Sequence, residues 1–256
     1  MTIDIQALLD ERPHLQDPLA LYAKWQRFLL EANEILPTAR SPLSAEDSQA
    51  YPRANAAAVF QLFASIFELP GEQLEPLRLA LSEGEIDFMQ LPQGQVPDFP
   101  ELPYTPAELA GLLFLFSRPY FLSLRETFPL DGSQWENGRC PLCSAQPALT
   151  SIMEGPKRNL HCSYCGTSGP YRFIGCPNCA SVDSGGLNTI IAEDEPGFRV
   201  VTCDACHTYV KAIEFPLLQK MGFDLADLAS LPLDIIAQSK GYVRMAPNPI
   251  SLTKME

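Results

Sequence analysis

No cysteine occurs before residue 140, and neither half of the chain carries an excess of positive charge. Lys and Arg number 18 against 31 Asp and Glu, a formal net charge of −13 over 256 residues. The deficit is uneven, with residues 1–139 at −11 and residues 140–256 at −2. Binding to a nucleic-acid backbone draws most of its affinity from Lys and Arg that displace counterions, so the electrostatic footprint of a nucleic-acid-binding protein is missing. The start, MTIDIQALLDERPHL, lacks the basic residues and apolar run of a signal peptide. The longest apolar run, LAGLLFLF at 109–116, is far shorter than the roughly 20 residues that span a bilayer. Both absences point to the cytosol, where thiols stay reduced and paired cysteines read as metal ligands or redox groups before disulfides. No Ser/His/Asp set, phosphate-cradling glycine loop or paired-carboxylate motif stands out, which leaves no recognisable catalytic apparatus.

What is present divides in two. With 46% hydrophobic residues the chain can bury an ordinary core. The first half reads as helical. Asp17-Pro18 opens a helix whose apolar positions are Leu21, Trp25, Phe28/Leu29 and Ala32, and Val59, Leu62/Phe63, Ile66 and Leu69 mark another. Thr105-Pro106-Ala107-Glu108 is a capping box ahead of the stripe Leu109, Leu112/Leu113 and Phe116, and a further helix is expected from Arg118 to Phe128 after Pro119. These stripes are core by their spacing. Residues 90–106 carry five prolines and read as an irregular surface crossover. After Asp131 the segments alternate or become β-branched, which places a boundary near 131–139.

All eight cysteines lie between 140 and 206, as four CxxC pairs: Cys140/Cys143, Cys162/Cys165, Cys176/Cys179 and Cys203/Cys206. Two thiolates three positions apart on a tight knuckle can face one ion, and two such half-sites complete a tetrahedron. An internal repeat says which halves belong together. CPLC, ALTSIM, EGPKRN, HCSYC and PYRFIG match CPNC, LNTIIA, EDEPG, FRVVTCDAC and TYVKAIEF as knuckle, strand, turn, strand, knuckle, strand. A duplicated unit carries its own metal, so Cys140, Cys143, Cys162 and Cys165 form one expected site and Cys176, Cys179, Cys203 and Cys206 the other. A cross-brace pairing the first knuckle with the third and the second with the fourth is the rival. Four thiolates suit zinc, and the same shell holds a single iron in rubredoxins, so ligand type leaves the metal open. A thioredoxin-like shuttle is disfavoured, since that motif expects one CxxC at a helix start. His161 and His207 each adjoin a cysteine and are expected outside the ligand shells, while His14 has no visible partner.

The order of these motifs resembles a known family. Trp135-x-x-Gly138-x-Cys140-Pro141-Leu142-Cys143, HCSYC at 161–165, CDACHTYVK at 203–211 and DLASLPLDIIAQSKGYVRMAPNP at 227–249 are together similar to the bacterial formate dehydrogenase accessory protein FdhE family, clearly from residue 131 onward. The resemblance implies an α+β chain, with a helical domain over 1–135, a first four-cysteine rubredoxin-like or zinc-ribbon module over 136–175, a second over 176–215 and a C-terminal helical tail over 216–256. It also implies two metal ions, zinc or iron, each held by four cysteines, and a non-catalytic role. Members of the family are needed for active formate dehydrogenases and contact the catalytic subunit in the cytoplasm. That implies such a subunit as partner, with no nucleic acid and no membrane insertion. A zinc-ribbon nucleic-acid-binding protein and a rubredoxin-like one-electron carrier are the alternatives. Ser144 stands where the family has a knuckle glycine, and Ala180 and His207 are similar cases, so a strained left-handed backbone is expected at these positions. Trp135, near the boundary, is expected to be buried.

Overall fold

A computed structural model describes residues 5–36 and 55–250. It is a mixed α+β structure with a helical N-terminal region, one sheet bearing both cysteine modules, and C-terminal helices. The chain forms two compact units. One runs from Ala20 to Pro129, and the other joins the described residues up to Leu19 to those from Leu130 onward.

Helix α1 (Ile5–Glu11) belongs to the second of these, and in the first, α2 (Gln16–Ile35) from Ala20 onward, α3 (Ala56–Phe67), α4 (Glu75–Glu83) and α5 (Pro106–Thr127) bury an aromatic core. Phe63 lies 5.0 Å from Phe28 and 5.5 Å from Phe116 between ring centroids, and Phe88 lies 5.5 Å from Tyr120. Edge-on and tilted pairs of this kind add to what burial alone supplies. The expected stripes on α2 and α3 are the buried faces, through Trp25, Phe28, Ala32, Val59, Phe63 and Ile66. The capping box forms, with the Glu108 amide donating to Thr105 Oγ1 at 3.3 Å and the Thr105 amide donating to Glu108 Oε2 at 2.7 Å. In place of a new helix after Pro119, α5 runs unbroken to Thr127. The missing amide and ring clash cost about 3 kcal/mol, and the buried run Leu113 to Phe121 with Leu124 outweighs that. By length and composition α5 could cross a membrane, but 72% of its apolar stretch is buried inside the protein, the position of a core helix. Residues 90–106 begin in a 3-10 turn, Phe88–Gln93, and then stay irregular up to Thr105.

The other unit is built on one sheet. Strands β1 (Pro147–Ile152), β2 (Arg158–Cys162) and β3 (Ser168–Tyr171) form an antiparallel ribbon, and β4 (Leu187–Ile190), β5 (Phe198–Cys203) and β6 (Thr208–Glu214) form its repeat. Parallel pairing of β1 with β6, Leu149 opposite Lys211 through Ile152 opposite Glu214, fuses them in the order β3-β2-β1-β6-β5-β4. Strand β7 (Val243–Arg244) adds to β6. Because β1 is paired on both sides, nearly all of it is buried and its sequence PALTSI shows no polar alternation. Helices α6 (Phe215–Met221), α7 (Phe223–Ala229) and α8 (Leu231–Ser239) pack on β1, β5 and β6.

These helices are fixed by a fully buried charge network. Lys211 on β6 contacts Asp227 and Asp234, each at 2.6 Å, and Arg244 on β7 contacts the same two carboxylates at 2.6 and 2.8 Å. Tyr209 donates its hydroxyl to Asp234 at 2.6 Å. Despite the cost of desolvation, Arg244 and Lys211 hold the Asp234 carboxyl below its ordinary range. The N-terminal residues are tied in by Arg12, which meets Glu195 at 2.6 Å and donates to the Ala229 carbonyl at 2.8 Å.

Candidate metal centres

Each of the four CxxC pairs sits on a tight knuckle. The amide after the second cysteine returns to the carbonyl of the first, Ser144 to Cys140 at 2.9 Å, Gly166 to Cys162 at 3.1 Å and Ala180 to Cys176 at 2.9 Å. This turn needs a left-handed residue after the second cysteine. Ser144 (φ 61°), Gly166 (φ 73°), Ala180 (φ 59°) and His207 (φ 52°) occupy those places, so three of the four knuckles hold a side chain where glycine fits best. Ala180→Gly in the metal-loaded protein is expected to raise stability by up to about 1 kcal/mol, less what glycine's freedom in the unfolded chain removes. Denaturant unfolding reads the change, and a loss of stability would refute the strain.

The knuckles bring the sulfurs together in two groups, Cys140, Cys143, Cys162 and Cys165, and Cys176, Cys179, Cys203 and Cys206. Within the first, Cys140 Sγ is 3.5 Å from Cys165 Sγ, and Cys143 Sγ is 3.4 Å from Cys162 Sγ and 3.7 Å from Cys165 Sγ. Within the second, Cys176 and Cys206 are 3.6 Å apart and Cys179 and Cys203 3.7 Å. The grouping follows the repeat and not the cross-brace. A metal–sulfur bond of about 2.3 Å gives a tetrahedral edge of about 3.8 Å, so both groups match the spacing of an ion bound by four thiolates.

Electrostatics agrees with that fit. Burial pushes the Cys143 and Cys162 thiols far above the ordinary range, and hydrogen bonds from Cys140, Cys143 and Cys162 hold Cys165 low. In the second group burial pushes Cys176 up to about 12. Burial opposes ionisation of Cys206 too, yet hydrogen bonds from Thr208, Asn178 and Cys176 hold it at about 6. Closely packed thiols that resist common ionisation are an arrangement a soft dication satisfies. Both groups could therefore hold a metal ion.

The surroundings repeat as well. Thr167 Oγ1 lies 3.1 Å from Cys165 Sγ, and Thr208 Oγ1 lies 3.0 Å from Cys206 Sγ. Backbone amides reach the sulfurs, from Cys165 to Cys162 Sγ at 3.5 Å and from Asn178 to Cys176 Sγ at 3.4 Å. Such contacts orient thiolate ligands and spread their charge. Trp135 is buried, and Gly138 touches the next knuckle so closely that a Cβ there would lie 1.8 Å from the Pro177 carbonyl oxygen. Gly138 thus lets the approach to Cys140 pack on the first knuckle of the second module, while Trp135 lies against Gly169 of its own. Neither His161 nor His207 joins a sulfur group. His161 Nε2 is 2.9 Å from Ser151 Oγ with its ring stacked on Phe223, and His207 is exposed, as is His14. Lys211, Asp227, Asp234 and Arg244 are what motif reading passed over, although a lysine inside TYVKAIEF and an aspartate inside LPLDIIA were visible as charges in apolar surroundings.

Residues 160–251 match the family model described as FdhE, C-terminal domain. A protein FdhE homolog from Aquifex aeolicus is 29% identical over 147 residues, 55% of this chain and 51% of that protein. Protein FdhE of Escherichia coli (strain K12 / DH10B) is 33% identical over 114 residues, 43% of this chain and 36% of that protein. The chain thus spans about half the length, or less, of the curated relatives it matches. The crystal structure of the FdhE protein from Pseudomonas aeruginosa superposes with a TM-score of 0.65 at 22% identity, covering 96% of this chain and 93% of that one, so the fold is shared. The matched stretch holds six of the eight cysteines, the TYVK strand and the helices that its buried lysine anchors, and over these residues the chain is similar to the FdhE C-terminal domain.

Proposed function

We propose that Cys140, Cys143, Cys162 and Cys165 hold one metal ion and Cys176, Cys179, Cys203 and Cys206 a second, zinc or iron. We propose further that the chain serves formate dehydrogenase as a non-catalytic accessory protein in the cytoplasm, binding its catalytic subunit. The observation that carries this reading is the pair of four-sulfur groups at tetrahedral spacing on fused ribbons, in a chain whose residues 160–251 match the FdhE C-terminal domain. The metals would fix two ribbons with little core of their own, and the fused sheet would present a rigid face to a folded partner. Phe173, Ile174, Val182 and Ile191 are exposed on the second ribbon and its approach, apolar side chains that a protein partner could cover. Four thiolates supply either a closed structural site or, with iron, a one-electron centre. An iron-loaded protein absorbs in the visible and bleaches on reduction, whereas a zinc-loaded one is colourless.

The reading is tested by capturing the tagged protein from cytoplasm of cells grown with formate under oxygen limitation and identifying its companions by mass spectrometry. A formate dehydrogenase catalytic subunit is expected with the native chain and is expected to be lost with Cys203→Ala/Cys206→Ala, which also halves the bound metal. Should that variant keep full metal content and full formate dehydrogenase activity, the assignment of the second site fails.

A further inference from the structure

The two sulfur groups share ligands, knuckles and a threonine hydroxyl beside the last sulfur, but they differ in cover. All four cysteines of the first group are buried, whereas in the second Cys179 is exposed and Cys206 half-buried. The repeat locates the cause. Between the hairpin cysteines of the first module stand Ser163 and Tyr164, both buried; at the matching places in the second stand Asp204 and Ala205, both exposed. Alanine at the matching place offers only a methyl group where the first module has a phenol ring.

We propose that the second group is an exchangeable site, open to solution, that takes up and releases a thiophilic divalent ion through Cys179 and Cys206, while the first is closed and structural. The inference rests on the metal-binding reading above. Release by ligand exchange requires an incoming donor, a thiolate or an amine nitrogen, to bond to the ion as the Cys179 sulfur leaves, and no oxidation state changes. An exposed sulfur gives such a donor a path, and the burial of all four sulfurs in the first group removes it.

The test uses the full chain loaded with zinc, whose metal content before any chelator is added checks the metal-binding reading by itself. A chromophoric chelator, pyridylazoresorcinol, then follows release while iodoacetamide labelling is mapped by mass spectrometry. Two phases of equal size are expected, the fast one about ten- to a hundredfold faster, with Cys179 and Cys206 labelled before any cysteine of the first group. Ala205→Tyr should slow the fast phase, and Tyr164→Ala should convert the slow phase into a fast one. Release of both ions at one rate, or first labelling at Cys140, Cys143, Cys162 or Cys165, overturns the inference, and the labelling order of the unaltered chain decides even if a variant fails to fold. A chain that binds zinc at neither group overturns the metal-binding reading, and this inference with it.

Discussion

Replacing Cys143 by Ala is expected to release the metal of the first group and to unfold the ribbon of β1, β2 and β3 around it. A structural zinc supplies on the order of 10 kcal/mol of folding free energy in small modules. The whole stability of a domain is about 5 to 15 kcal/mol, so the loss is comparable to everything that holds the unit together. Cys143 is the severe choice because it is fully buried and its sulfur approaches both Cys162 and Cys165. The damage should pass into the second ribbon, since β1 is the strand through which β6 joins the first module. Metal analysis should find one ion per chain where the native protein is expected to hold two, and circular dichroism should show loss of sheet with a much lower melting temperature. Retention of both ions and an unchanged melting curve would show that the ribbons stand without metal. Acid should act in the same direction as the substitution, because thiolate ligands must stay deprotonated and each proton taken up competes with the ion.

Lys211→Met is expected to cost about 3 to 5 kcal/mol, the typical result of removing one partner from a buried ion pair. Two carboxylates and two cations balance in this network, all without solvent contact apart from a trace at Arg244. Removing Lys211 leaves Asp227 and Asp234 to share Arg244, with one uncompensated negative charge in the core. The sign with pH follows from Asp234, whose folded pKa lies below its ordinary value. Its contribution is complete above the ordinary carboxylate range and is lost as pH falls through the lower folded value. Lys211→Met should reverse this, since a carboxylate without its partner gains from protonation, and the variant should lose less stability on acidification than the native protein does. Thermal melts between neutral and acidic pH measure both effects. A destabilisation below about 1 kcal/mol would place the network among ion pairs of little consequence.

The legible parts of this structure were those that local chemistry repeats. The CxxC spacing and the duplicated knuckle-strand-turn-strand order gave the two sulfur groups, and the resemblance, through the glycine that family members carry after a knuckle, pointed to the left-handed residues at Ser144, Ala180 and His207. Helical stripes such as Trp25, Phe28 and Ala32 were readable because one face is buried. What the residues hid depends on distant pairing. The partners Lys211, Asp227, Asp234 and Arg244 meet only after β6, α7, α8 and β7 are assembled, and no periodicity links them. The parallel pairing of β1 with β6 was likewise invisible, although a strand as apolar as PALTSI asks for neighbours on both sides. At Pro119 a local rule lost to packing, because the helix interior around it is buried on every turn. The difference in cover between the sulfur groups accompanies two aligned pairs, Ser163 and Tyr164 against Asp204 and Ala205, and acquires meaning only with burial.

X-ray absorption at the metal edge, together with metal content per folded chain, tests the central claim most directly. The account predicts two ions per chain, each with four sulfur neighbours at about 2.3 Å and no lighter ligand. Fewer than two ions, nitrogen or oxygen neighbours in either shell, or sulfurs joined to each other as disulfides would contradict it.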